Sequence, residues 1–557
     1  MEAEKKLTGY PSIDKPWLKY YTAEAINAPL PECTIYEYLW ENNKDHLDDV
    51  ALIYFGKKIT YGELFDNIDK TARAFSAIGV KPGDIVTFLS TNTPETLYCL
   101  FALNRLGAIS NLNYVTLSQE EVLSDIERTN SKTVIIFAPL LPKYKNIVDD
   151  DRIENTIVLP APTGENSTEF ARFIENGKNA VVNEYAYHKN TPAVIVHSGG
   201  TTGTPKGVVL SNENLNYLPW AFLNQKSDFY RHDTYMAYIP IFHAFGLGMG
   251  IMMPLCKGMQ DILSIQYDET NLLNDFCNYK PNNIMAGASN IPGFMSDSRI
   301  RAMDLSFFKT CGFGGSPIAN AQETALVDFF KERNSTSKVC IGYGMSELAS
   351  AACCEENWFY GKVGSVGVPM LGASVKVMDT DTNEELTYGK VGELWISSPG
   401  VMLEYYRNKQ ETENTIVCDK NGIRWVRTGD LGYIDEDGFV FVTGRLKRIY
   451  STRAEKNGTL YKFFPDHVTN IISQVDGVDE CAVVCIPDDE YKNIGIAYVV
   501  INDASKETMI CDEIMKHCSN NLPIHSIPKR IYTIKTLPKT QVGKVDYRVL
   551  EQQAENK

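Results

Sequence analysis

The 557-residue chain is poor in the features that would assign it to a metal scaffold, a disulfide-built protein or a nucleic-acid binder. Its 13 cysteines include no CxxC pair and no zinc-type spacing, and the adjacent Cys353 and Cys354 suit neither a structural disulfide nor a metal cage. An odd, unpatterned set of this kind fits a reducing, cytoplasmic setting. Positive charge is in deficit: 54 Lys and Arg face 70 Asp and Glu, for a formal net charge of −16. That balance excludes a general attraction for nucleic acid or anionic lipid, so any polyanionic ligand needs locally placed donors and a metal ion. The opening residues MEAEKKLTGY lack the apolar core of a signal peptide. Internal repeats and low-complexity tracts are missing as well. One uncharged run, Met236–Cys256, is long enough to span a bilayer. Pro240, Pro254, the glycines and His243 interrupt it, and no second such run exists, so the expectation is a buried strand, turn and helix and no transmembrane span.

What is present reads as a folded α/β protein. Hydrophobic residues at 44% and charged residues at 22% are ordinary for a packed core, and the length allows more than one domain. Ala51–Phe55 patterns as a strand. Thr60-x-x-Glu63 is a capping box opening a helix with Leu64, Ile68, Ala72 and Phe75 on one face. Gly79 ends that helix, Pro82-Gly83 turns the chain into the strand Ile85–Leu89, and Pro94 starts a helix closed by Gly107. The rhythm predicts largely parallel sheet. The last hundred or so residues pattern as a separate small α/β unit with helices at 466–474 and 506–518 and strands at 481–486, 494–501 and 530–534. Turn signals at Asp437-Gly438 and Thr443-Gly444 place a domain boundary near Gly444–Ile449, giving domains of residues 1–445 and 446–557.

Four segments carry chemistry. The first runs Ser198, Gly199, Gly200, Thr201, Thr202, Gly203, Thr204, Pro205, Lys206, between the apolar strand 193–196 and a second short strand at 208–210. Glycines that let backbone N–H groups approach a ligand, hydroxyl side chains and one lysine suit phosphate oxygens, although the loop is not a P-loop and a plain turn is the competing reading. The second is Gly342-Tyr343-Gly344-Met345-Ser346-Glu347, where an aromatic ring covers a purine and a carboxylate holds Mg²⁺ beside phosphates, or a capping Ser and Glu open a helix. The third is Thr428-Gly429-Asp430 with Gly444-Arg445 beyond it: an aspartate on a rigid turn takes both hydroxyls of a ribose, or the pair is a hairpin Asp and a surface Arg. The fourth is Leu537 to Lys544, with Gly543 leaving the Lys544 ammonium free to stabilise charge on a phosphate, or simply solvated.

Together and in this order the four resemble the adenylate-forming superfamily of acyl- and aryl-CoA synthetases, firefly luciferase and peptide-synthetase adenylation domains. The form of the first motif and the following Phe242-His243 look most like fatty acyl-CoA synthetases, and Gly314-Gly315-Ser316-Pro317 matches the family's adenine-side loop. The resemblance implies an α/β fold: a large N-terminal domain of layered sheets plus a barrel-like subdomain, and a small mobile C-terminal domain. It implies ATP, Mg²⁺ and coenzyme A as ligands. The Ser198–Lys206 loop would hold the phosphates, Tyr343 and the 314–317 loop the adenine, and Ser346 and Glu347 the phosphates and magnesium. Asp430 and Arg445 would hold the ribose. Lys544 would bridge the acyl carboxylate and the α-phosphate, and Lys447 would be the hinge about which the small domain turns between two half-reactions. By position Trp220, Phe242, His243 and Phe245 would line an acyl pocket. Its apolar character suits a fatty or aromatic acid better than an amino acid, with a satisfied core histidine as the other reading of His243.

The chain departs from the family after Arg445. The stretch Ile449–Phe464 runs longer than usual, and where a Pro-x-Glu is expected Pro465-Asp466 is followed by His467. That face supports thiol transfer in relatives, so two acceptors stay open: coenzyme A and a separate carrier protein. Arg448, Arg453, Lys456 and Lys462 make the stretch basic, to bind coenzyme A phosphates or merely as a solvated loop. A catalytically silent nucleotide-binding protein of the same fold is a third reading. The joint presence of Glu347, Asp430, Arg445 and Lys544 argues against it.

Overall fold

Strand and helix alternate through the first third of the chain as the patterning predicts. In the computed structural model, which describes residues 7–198, 206–265, 268–287, 290–315, 318, 320–354, 361–455, 458–540 and 545–556, Val50–Tyr54 is a strand and Tyr61–Ala77 a helix. Both halves of the Thr60/Glu63 capping box are formed, and Leu64, Ile68, Ala72 and Phe75 are fully buried. The helix Pro94–Arg105 follows the strand Ile85–Leu89.

Among the described residues the strands make two large sheets. One has nine strands in the order 368–369, 350–354, 338–345, 310–314, 283–287, 234–237, 260–263, 50–54, 57–60, parallel throughout its interior and antiparallel at both edges. The other has seven, in the order 404–405, 206–211, 192–198, 109–112, 85–89, 133–137, 155–159. Its last five strands are parallel, and the first two are antiparallel additions. The helices Tyr61–Ala77 and Pro94–Arg105 share one hydrophobic cluster with strands of both sheets. Helices are thus layered between sheets, as parallel strands buried on both faces require. A five-stranded antiparallel sheet, including Arg424–Ile434 and Val440–Arg445, carries its own core of Val375, Val377, Leu394, Ile396, Val426 and Ile434. It stands in the place of the expected barrel-like subdomain.

The run at 236–256 forms a strand ending at Ala237, a turn, a π-helix at Gly246–Met252 and a helical turn at Met253–Cys256. The π-helix was not visible in the pattern. Among the described residues no helix is long and apolar enough to cross a membrane.

Beyond residue 464 the helices Pro465–Ile472, Glu507–Asn521 and Tyr547–Glu555 cover a three-stranded sheet of 478–488, 492–501 and 530–533. The strand period of two splits its side chains cleanly. Val483, Cys485, Ala497 and Val499 enter one cluster, and Ala482, Val484, Ile496 and Tyr498 the other.

Candidate active site

The root of the first motif is an antiparallel pair. Val194, Ile195 and Val196 are buried, and the strand Pro192–Ser198 runs beside Lys206–Ser211 with Ser198 and Lys206 as direct partners. Gly199, Gly200, Thr201, Thr202, Gly203 and Thr204 lie outside the described residues, as do Ser316 and Lys544. The short strand Glu404–Tyr405 pairs with Val208 and Val209 and so delivers Tyr405 beside Lys206. The Lys206 ammonium lies 5.0 Å from the Tyr405 ring centroid and forms an ion pair with Glu411. The Tyr405 phenol donates to Glu347 Oε1 at 2.5 Å. Glu347 is buried in a short 3₁₀ turn, Ser346–Leu348, at the end of the strand Lys338–Met345. Burial and the Glu347 charge push the Tyr405 phenol up, so it remains a donor at neutral pH. Hydrogen bonding to Lys206 holds Glu411 below its ordinary range, and the charge of Lys447 adds to the effect.

The second and third motifs meet where the strand Lys338–Met345 faces the strand Arg424–Ile434. Tyr343 donates its phenol proton to Asp430 Oδ2 at 2.5 Å, and Arg445 Nε lies 2.8 Å from Asp430 Oδ1. Asp430 and Arg445 are direct cross-strand partners in the hairpin that turns at Asp437-Gly438, which explains why residues fifteen apart act as a pair. The Asp430 N–H donates to Thr428 Oγ1 at 3.0 Å, fixing the turn. Burial raises the Tyr343 phenol well above its ordinary range, and the Asp430 carboxylate adds to this. For Arg445, burial works against the charge but is outweighed by Asp430 and Tyr343, so the net shift is upward. Gly344 is needed sterically: a Cβ there would come within 1.8 Å of the Ser350 carbonyl oxygen on the neighbouring strand.

On the other side Gly314 ends the strand Thr310–Gly314, with Gly315 exposed after it. A side chain at Gly314 would meet the Phe245 ring at 3.3 Å. Phe242 and His243 pack around one tyrosine, Tyr114, whose ring centroid lies 5.5 Å from Phe242 and 5.0 Å from His243. Tyr114 also donates to the carbonyl of His197, the residue before Ser198. Trp220 lies in a separate cluster with Met249, Met285 and Tyr235, its indole N–H held by the Pro29 carbonyl at 2.8 Å. Lys447 occupies a 3₁₀ turn, Leu446–Arg448, directly after Arg445.

Sequence reasoning missed Tyr114, Tyr405 and Glu411. It also missed a buried network behind the first motif. There His197 Nε2 lies 3.0 Å from Asn111 Oδ1, while Asn111 and Asn113 donate to Asp125 at 2.6 and 2.9 Å. Arg128 pairs with the same carboxylate. The unusual run of amides at Asn111 and Asn113 inside an apolar stretch was the available signal. Burial pulls the His197 imidazole below its ordinary value.

The donor set fits magnesium held against phosphates. Mg²⁺ is taken by one or two carboxylates plus substrate oxygens rather than by an all-protein cage. Glu347 offers one buried carboxylate, and its partner Tyr405 lies beside Lys206.

Known proteins resemble the chain over most of its length. The sequence model of the AMP-binding enzyme family matches residues 39–406, and that of the AMP-binding enzyme C-terminal domain matches 467–544. A probable CoA ligase of Humulus lupulus is 28% identical over 509 residues, covering 88% of this chain and 87% of its own. A long-chain-fatty-acid–CoA ligase of Bacillus subtilis (strain 168) is 26% identical over 580 residues, covering 97% and 99%. Among solved structures, an anthranilate CoA ligase in complex with anthranoyl-AMP superposes with a TM-score of 0.82 at 21% identity, over 96% of this chain and 99% of that one.

Proposed function

The chain belongs to the AMP-binding enzyme family, and on that premise we propose that it is an ATP-dependent acid–coenzyme A ligase. It joins a carboxylic acid to AMP with loss of pyrophosphate and passes the acyl group to the thiol of coenzyme A. One observation carries the assignment of roles. Three motifs that are far apart in sequence converge through two tyrosines: Tyr405 bridges Lys206 to Glu347, and Tyr343 bridges the Glu347 strand to Asp430 and Arg445.

In this reading Lys206 and the Ser198–Thr204 loop bind the phosphates. Tyr343 and Gly314–Ser316 flank the adenine, and Asp430 and Arg445 fix the ribose. Glu347 holds Mg²⁺, which when bound supplies positive charge that lets two anions meet. An oxygen of the acid attacks the α-phosphorus, the bond to pyrophosphate breaks, and Lys544 stabilises the charge in between. The thiol then attacks the acyl carbon and AMP leaves. The chain divides into domains 1–445 and 446–557, which rotate about Lys447 so that Lys544 and the thiol use the cleft in turn. The acid is fatty or aromatic. Phe245 packs against the buried cluster that holds Met285, an apolar surrounding, and two of the named relatives, the long-chain-fatty-acid and anthranilate ligases, bear the names of acids of those classes. Thirteen free cysteines support a reducing, cytoplasmic location.

The test is pyrophosphate release over a panel of short, long and aromatic acids, with and without coenzyme A, alongside detection of the thioester. Longer or bulkier acids should gain roughly 0.8 kcal/mol per buried methylene until the pocket fills. Acetate equal to every larger acid would refute the apolar pocket. Transfer to a phosphopantetheinyl carrier but not to coenzyme A would refute the acceptor.

A further inference from the structure

Rotation about Lys447 requires the chain before that residue to move relative to the chain after it. Lys462–Asp381 and Gln322–Asp479 contacts link the two sides at a distance from the pivot, and at the pivot itself one side chain reaches across. Asp466, in the first turn of the helix Pro465–Ile472, accepts the backbone N–H of Arg445 on Oδ2 at 3.0 Å and the guanidinium of Arg448 on Oδ1. Arg445 stands two residues before Lys447, and Arg448 one residue after it.

Each end is anchored to its own side. Arg445 closes a strand paired with Arg424–Ile434, and its Nε lies 2.8 Å from Asp430. Arg448 is anchored in the C-terminal unit: it donates to the Val483 carbonyl and lies 3.6 Å from the Tyr547 ring centroid. Tyr547 opens the helix Tyr547–Glu555, which follows the Lys544 loop. That loop is closed at its base by the Asp546 N–H to Pro538 carbonyl bond at 2.8 Å and by a bridge between Lys539 and Val545.

We propose that Asp466 is the positioning residue of the hinge, its carboxylate joining the ribose-binding side, through the Arg445 backbone, to the Lys544-bearing side, through Arg448. The bond to Arg448 lies wholly on the far side of Lys447 and travels with the C-terminal domain. The bond from Arg445 crosses the pivot and breaks when the domain turns. Asp466 therefore stabilises the arrangement seen here by one charge-assisted hydrogen bond, which the other arrangement lacks. The residue lies in the segment where the chain departs from the family pattern. The inference rests on the proposed rotation about Lys447.

The test measures the distance between the domains in the full-length protein, by energy transfer between dyes carried on unnatural amino acids at the exposed positions Lys390 and Lys516. The unliganded protein is compared with the protein holding AMP and coenzyme A. Wild type should show two distances, with the one matching this structure dominant in the absence of ligand. Asp466→Ala should move the unliganded ratio about tenfold away from that distance, the size expected for loss of one such bond. Asp466→Asn, which keeps the shape and one acceptor, should fall between them and serves if the Ala variant does not fold. Two distances in wild type with the same ratio in both variants would overturn the role of Asp466. A single distance in wild type under every condition would overturn the rotation itself, and the inference with it.

Discussion

Replacing Tyr343 with Phe separates two tasks of one side chain, the hydrogen bond to Asp430 seen in the structure and the proposed aromatic face against adenine. The phenol donates to Asp430 Oδ2 at 2.5 Å. Burial and the Asp430 charge keep it protonated across the neutral range. A hydrogen bond to a charged group contributes about 1.5–3 kcal/mol. Ribose hydroxyls that bind Asp430 must compete with this phenol, so the bond stabilises the free protein and opposes the nucleotide. Tyr343→Phe should therefore lower folding stability by about 1.5–3 kcal/mol in denaturant unfolding. It should leave ATP affinity unchanged or improve it by up to roughly a hundredfold, since each 1.4 kcal/mol is a factor of ten. Tyr343→Ala also removes the aromatic face against adenine. Base–aromatic stacking contributes about 1–3 kcal/mol, so ATP affinity should fall roughly fivefold to a hundredfold. Titration calorimetry with ATP measures both. If Tyr343→Phe weakened ATP as much as Tyr343→Ala, the hydroxyl would be needed in the complex, and Asp430 would not be the ribose acceptor.

Glu347→Gln keeps a side chain that can still accept the Tyr405 proton but removes the charge proposed to hold Mg²⁺. Acid-dependent pyrophosphate release should drop by orders of magnitude in a protein that unfolds at the wild-type denaturant midpoint, and near-normal release would remove Glu347 from the metal site. His197 supplies a pH test of the network behind the first motif. Its folded pKa lies below the ordinary 6.5 because of burial. The unfolded chain therefore takes up a proton near 6.5 that the folded chain refuses, and stability falls as pH drops below that value. One proton sets an upper limit of about 1.4 kcal/mol per pH unit on this slope. Urea unfolding at several pH values between 7.5 and 5 should show this slope in wild type and its loss in His197→Gln; an unchanged slope would place the titrating group elsewhere.

Local features were legible because they are encoded within a few residues. The Thr60/Glu63 capping box, the helix begun at Pro94 and the alternating strands of the C-terminal unit all rest on short-range rules. So does the pairing of Asp430 with Arg445, since the Asp437-Gly438 turn sets the hairpin register. Contacts made across the fold were not legible. Tyr405 reaches Glu347 over 58 residues of sequence, Tyr343 reaches Asp430 over 87, and Tyr114 reaches the His197 carbonyl over 83. Nothing in the spacing of three tyrosines distinguishes them from core aromatics, and their positions follow from the strand order of the two large sheets. The π-helix at Gly246–Met252 was hidden for a different reason. Glycine and methionine carry weak periodicity, and Gly246 leaves no room for a Cβ beside the Pro240 carbonyl oxygen, a tertiary constraint.

The central claim is that one cleft serves two half-reactions in turn, with Lys544 acting in the first and the Lys447 pivot needed for the second. The direct measurement assays the halves separately in two variants: acyl-AMP formation from acid and ATP, and thioester formation from supplied acyl-AMP and coenzyme A. Lys544→Ala should abolish the first and leave the second nearly intact, because no phosphate charge remains to be stabilised once acyl-AMP exists. Lys447→Pro fixes φ at the pivot and restricts Leu446, so it should spare the first and slow the second. Loss of the same half in both variants, or transfer from acyl-AMP as impaired as its synthesis in Lys544→Ala, would contradict the account.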